Sequence, residues 1–120
     1  MKHAVITPAG SLWWKLGAVS GATAIMLGAF GAHALQQRVK EPKLLKNWET
    51  AAHYQLLHSV ALLAVPLSRR PSVAGGLIAG GTLIFSGSLY AMVLTNERKL
   101  GMITPIGGVA LVAGWLALLL

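Results

Sequence analysis

Hydrophobic positions in this chain fall into four long blocks that leave almost nothing outside them. The blocks cover Leu12–Leu35, Trp48–Leu67, Val73–Leu94 and Ile103–Leu120. Each is long enough to cross a bilayer, which takes about 20 apolar residues. A backbone in lipid must satisfy its own polar groups, so each block is predicted to be helical. The breaks between blocks are polar. Gln36–Asn47 holds Pro42, Ser68–Ser72 reads Ser-Arg-Arg-Pro-Ser, and Thr95–Gly101 is short and charged. The pattern predicts an all-α integral membrane four-helix bundle, forming one domain over residues 1–120.

Composition agrees with that picture. Hydrophobic residues make up 55% of the chain and charged residues 11%, against about 25% charged in a soluble domain. The net charge of +7 raises the question of nucleic acid. Every Lys and Arg, however, lies in a tail, a loop or a helix end, where basic residues meet lipid headgroups. Membrane lipids are therefore the expected partners, and nucleic acid is not. The chain has no cysteine, which excludes disulfides, thiolate metal sites and cysteine nucleophiles. Ala32-His33-Ala34 resembles a small-x-small cleavage site, but the first apolar run exceeds a signal core and reads as a retained span. Trp13, Trp14, Trp48 and Trp115 fall near span ends, where indole rings prefer the interface. For Trp115, plain lipid contact reads equally well.

An even number of spans puts both termini on one side. Lys2, Lys15, Arg69 and Arg70 share that side, and Arg38, Lys40, Lys43, Lys46, Arg98 and Lys99 lie on the other. The excess of basic residues places the second side in the cytoplasm and the termini in the periplasm.

Spans one and three align with a shift of about 59 residues, pairing Gly17 with Gly76, Gly21 with Gly80 and Gly28 with Gly87. Two helices intervene, so a true repeat would be parallel. Both spans carry a GxxxG, and span four adds Gly107, Ala110 and Gly114. Small residues at such spacing let helices approach closely. Gly17, Gly21, Gly28, Gly76, Gly80, Gly87, Gly107 and Gly114 are thus the expected packing positions, within one bundle or against a second copy or a larger membrane-protein complex.

Polar side chains inside spans are costly and often functional. Here they gather toward the charged loops: His33, Trp48, Thr50, His53, Tyr54, His58, Ser86, Ser88, Tyr90 and Thr104. The other half holds little beyond Ser20, Ser59 and Thr82. With a rise of about 1.5 Å per residue, His53 lies roughly 8 Å and His58 roughly 15 Å below Trp48. Three readings of this half compete: a structural hydrogen-bond network, a pocket for a lipid headgroup, quinone or small ligand, and ligation of haem or metal by His33 with a histidine of span two. No residue set selects a cofactor, and His53 and His58, five apart, are poorly spaced to hold one metal by themselves.

Familiar catalysis is not expected. The chain has no Asp, and Glu41, Glu49 and Glu97 lie in loops or at a helix start. No Ser-His-Asp set can be assembled and no HExxH occurs. The absence of a buried acid also argues against a proton-coupled exporter of similar size.

Four motifs in order point to a family. They are Leu27–Leu35 (LGAFGAHAL), Trp48–Leu63 (WETAAHYQLLHSVALL), Phe85–Tyr90 (FSGSLY) with Leu94-Thr95, and Ile103–Gly108 (ITPIGG) with Gly114-Trp115. Together they resemble the domain of unknown function 423 family, which includes YgdD-like bacterial inner-membrane proteins and animal transmembrane protein 256. The resemblance covers nearly the whole chain. It implies a four-helix protein of the bacterial inner membrane and no established reaction. The expected function is a non-enzymatic accessory, assembly or structural component with a lipid or quinone pocket in its polar half; the alternative is a small transporter or channel.

Overall fold

The computed structural model describes residues 8–120, and Lys2 of the charge comparison lies outside them. Four long helices carry the fold: α1 (Pro8–Ala32), α3 (Pro42–Ala64), α4 (Pro71–Thr95) and α5 (Thr104–Ala117). A single turn, α2 (Leu35–Arg38), follows α1. No strand occurs among the described residues.

Proline sets the boundaries. Pro42, Pro71 and Pro105 sit in the first turns of α3, α4 and α5, where the missing N–H costs nothing and the fixed φ suits a helix. Pro66 lies in the 3₁₀ turn Val65–Leu67 that ends α3, because its ring cannot continue an α-helix. Asn96 closes α4 at φ 57°, the left-handed conformation that asparagine tolerates after a helix.

These signals move two expected borders. Gln36–Asn47 is not a polar loop: α2 takes its start, α3 begins six residues ahead of Trp48, and only Val39–Glu41 lie outside helix. Span four is also shorter as an α-helix than its apolar run. α5 has 14 residues, about 21 Å, and reaches a membrane-spanning length only with the 3₁₀ segment Arg98–Met102 before it.

Three stretches are long and apolar enough to cross a membrane: Gly10–Arg38, Pro71–Thr95 and Arg98–Ala117. α3 is long enough at 23 residues, about 35 Å, but its composition differs. Lys43, Lys46 and Glu49 occupy its first turns, and His53, Gln55, His58 and Ser59 its middle. That polarity is accommodated by burial: Gln55, His58 and Ser59 all face the interior.

The helices pack in chain order, α1 along α3, α3 along α4 and α4 along α5. The bundle is accordingly flattened, with principal extents of 53 × 26 × 16 Å. At the end away from the charged loops, Ala61, Leu62, Val65, Ala74, Ile78 and Ala117 form a dry core. At the loop end, Leu35, Leu44, Trp48 and Val93 form another.

Glycine permits the closest approaches, though not at all the expected positions. A Cβ at Gly107 would lie 2.4 Å from the backbone nitrogen of Phe85, and one at Gly17 would lie 2.7 Å from the carbonyl of Ser59. Gly114 is similarly pressed by Ile78, while Gly21 and Gly28 make ordinary contacts. Gly76, Gly80 and Gly87 have open space where a side chain would go, so they are not packing positions within this bundle. α4 instead turns the neighbouring Gly75 and Gly81 inward, against Trp13 and Leu111. The glycines paired by the 59-residue alignment therefore do different jobs in α1 and α4.

Candidate functional site

Gln55, Ser59, Ser86 and Ser88, all buried, form bonds between helices. The centre is Gln55, a residue of α3 that is 8% exposed. Its Nε2 donates to the Ser20 carbonyl of α1 (3.0 Å), and its Oε1 accepts from the Tyr90 hydroxyl of α4 (2.7 Å). One turn on, Ser59 Oγ reaches the Gln55 carbonyl (2.6 Å) and shares a hydroxyl–hydroxyl bond with Ser20 (2.7 Å). Three helices are thus tied by side chains at one depth. In lipid, where no water competes, such bonds hold helices together.

Further bonds tie the loop-side half. Trp48 Nε1 donates to the Leu27 carbonyl (2.8 Å), joining α3 to α1. The Trp48 ring lies between Phe30 and Tyr90, with centroids 5.5 and 4.7 Å away. Ser86 Oγ donates to the Ala51 carbonyl (2.7 Å), joining α4 to α3. Ser88 bonds Thr104 at the start of α5. Between the loops, Arg98 pairs with Glu41 at the surface.

A second constellation lies between α3 and α5. α3 and α5 flank α4 there, leaving a cleft of about 620 Å³ lined by His53, Tyr54, His58, Phe85, Gly108 and Trp115 with aliphatic neighbours. Tyr54 stacks on Phe85 (4.5 Å, 28°) and on His58 (5.8 Å, 15°), and Trp115 meets His58 edge-on at 5.9 Å. His58 is only 4% exposed. Its Nδ1 lies 2.7 Å from the Tyr54 carbonyl. A carbonyl only accepts, so Nδ1 carries the proton, and in a neutral ring Nε2 is then the acceptor.

The expected polar half thus divides. Trp48, Ser86, Ser88, Tyr90 and Thr104 hold helices together, whereas His53, Tyr54 and His58 line the cleft. Thr50 is half-buried and belongs to neither group. His33 is exposed at the turn after α1 and makes no ring contact or side-chain hydrogen bond with a histidine of α3. Nor is the other half free of polar chemistry, because Ser20 and Ser59 belong to the Gln55 network.

Sequence reasoning missed Gln55, Phe85 and the place of Trp115, still largely exposed, at the mouth of the cleft. Gln55 had a readable signal, since an amide seven residues past Trp48 in an apolar run needs partners. The placement of Phe85 and Trp115 had none, because an aromatic residue in an apolar helix reads the same facing lipid or a cleft.

Known proteins with similar sequences are named as membrane proteins. Residues 27–108 match the family model described as "Protein of unknown function (DUF423)". A UPF0382 membrane protein of Schizosaccharomyces pombe is 40% identical over 114 residues, covering 88% of this chain and 97% of that protein. A UPF0382 membrane protein of Staphylococcus aureus is 46% identical, covering 88% of this chain and 89% of its own length. The UPF0382 membrane protein YwdK of Bacillus subtilis is 44% identical, covering 84% and 87%. No solved structure matches. With the family motifs spread from α1 to α5 and relatives aligned over most of their length, this chain belongs to the DUF423 family, also called the UPF0382 membrane proteins.

Proposed function

We propose that this chain is a small non-enzymatic membrane component, an accessory or assembly partner, whose α3/α5 cleft holds a lipid or quinone-type ligand. One observation carries the reading: His58 is buried, yet its Nε2 has no hydrogen-bond partner among the described residues and is not sealed off. A polar atom in apolar surroundings costs free energy unless something bonds it. Here the site left open for a partner is a cleft walled by Tyr54, Phe85 and Trp115.

The remaining chemistry supports binding over turnover or transport. The three glutamates are all exposed, and the chain has no aspartate. The buried hydroxyl and amide groups bond one another across helices. The cell membrane proposed is the bacterial inner membrane, with the Arg98 loop in the cytoplasm and both termini in the periplasm. Surrounding lipids are the direct partners, and a homo-oligomer or larger membrane complex is the setting.

Native mass spectrometry of the chain extracted with its own lipids tests the cleft. A retained small molecule that is lost in Gly108→Leu supports the reading, because Gly108 lines the cleft and a Cβ there meets the Phe85 ring only at an ordinary 3.8 Å. No retained molecule, or one retained equally by Gly108→Leu, refutes it.

A further inference from the structure

The α3/α5 cleft contains a polar atom of defined sign. The proton of a neutral His58 ring is committed to the Tyr54 carbonyl, 2.7 Å from Nδ1, so Nε2 presents a lone pair. Nε2 is therefore best satisfied by a ligand that donates a proton. A ligand offering only a carbonyl or ether oxygen would set lone pair against lone pair. Tyr54 Oη, at the exposed side, can donate or accept and does not discriminate. The walls specify the rest of the ligand. Tyr54 stacks on Phe85 and His58, while Trp115, edge-on to His58, leaves much of its own ring exposed at the opening. Such faces favour a flat ring, and the apolar residues along α5 suit a hydrocarbon tail.

From this geometry we infer that the cleft binds the hydroxyl-bearing form of a tailed aromatic ring, a hydroquinone or phenol, in preference to the corresponding quinone or ether. The inference rests on the cleft reading above and adds the sign of the hydrogen bond. If the ring is a redox carrier, occupancy follows its reduced form, with no electron transfer by the protein.

The test compares three probes on the full chain in phosphatidylcholine nanodiscs: 2-decylhydroquinone, its dimethyl ether and 2-decylbenzoquinone. The tail is shared and the dimethyl ether keeps the aromatic ring, so the hydroquinone–ether difference reports the donated hydrogen bond, and the quinone adds a carbonyl-only case. One such bond predicts about tenfold tighter binding of the hydroquinone, and His58→Phe should abolish the preference while keeping a ring in place. Equal binding of all three to the native chain overturns the donor inference; if Gly108→Leu then weakens all three, the cleft reading stands. Failure of all three to bind removes both. Loss of hydroquinone binding in phosphatidylglycerol nanodiscs would assign the hydroxyl to a lipid headgroup and overturn the choice of a ring. The native-chain comparison decides the matter even if His58→Phe does not fold.

Discussion

Replacing Gln55 by leucine should destabilise the bundle by about 1–3 kcal/mol. The change keeps side-chain volume nearly constant, so the effect should come from polar chemistry and not from a cavity. Two interhelical bonds are lost, one to the Ser20 carbonyl and one from the Tyr90 hydroxyl. Interhelical side-chain bonds in membranes average about 0.6 kcal/mol and reach about 1.7. The Ser20 carbonyl sits in the interior of α1 and retains its helical bond there. The Tyr90 hydroxyl has no other hydrogen-bond partner among the described residues, and an orphaned buried group costs about 1–3 kcal/mol. The larger share should therefore fall on α3–α4. Unfolding by SDS in mixed micelles measures the total, and a double-mutant cycle with Tyr90→Phe isolates the pair. Because Tyr90→Phe removes the orphan, the double variant should be less damaged than the sum of the singles, with a coupling of about 1 kcal/mol. A neutral Gln55→Leu, or strict additivity, would refute the assignment of Gln55 as the tie between three helices.

Three further outcomes follow from the packing and topology. Gly107→Ala should force α4 and α5 apart, since its Cβ would meet the Phe85 backbone at 2.4 Å, and thermal stability in detergent should collapse; Gly80→Ala meets open space and should be neutral or gain up to about 1 kcal/mol from helix propensity. Trp48→Phe loses the bond to the Leu27 carbonyl and should cost about 1–2 kcal/mol, measured by the same SDS unfolding. Because the chain has no cysteine, single Ser72→Cys and Glu97→Cys variants can report orientation: an impermeant maleimide applied to intact cells should label Ser72→Cys and spare Glu97→Cys, and the reverse pattern would invert the proposed topology.

Several site residues were legible because their chemistry conflicts with lipid. His58, Tyr90, Ser86 and Ser88 stand out as polar groups inside apolar runs, and each is half-buried or buried in the fold. Their division into glue and cleft was not legible. Tyr54 and Tyr90 have the same composition and similar depth, yet one bonds Gln55 and the other walls an open cleft. The difference is the angular position of each residue on its helix relative to two neighbours, which a single sequence does not encode. The glycines show the same ambiguity. Gly75, Gly76, Gly80 and Gly81 offer two adjoining small-residue stripes, and a rotation of α4 by one residue exchanges them.

The sequence by itself determined that this protein is helical, integral to a membrane and polar toward one end. Those properties follow from additive terms: the length of each apolar run, the cost of leaving backbone groups unbonded in lipid, and the placement of charge and proline. Only the tertiary structure decided that Gln55 joins three helices, that Gly107 instead of Gly80 sets a helix contact, and that His58 opens onto an aromatic cleft. These depend on helix rotation and neighbour choice. In lipid both are governed by side-chain fit and a few hydrogen bonds, because hydrophobic burial scarcely distinguishes one apolar face from another.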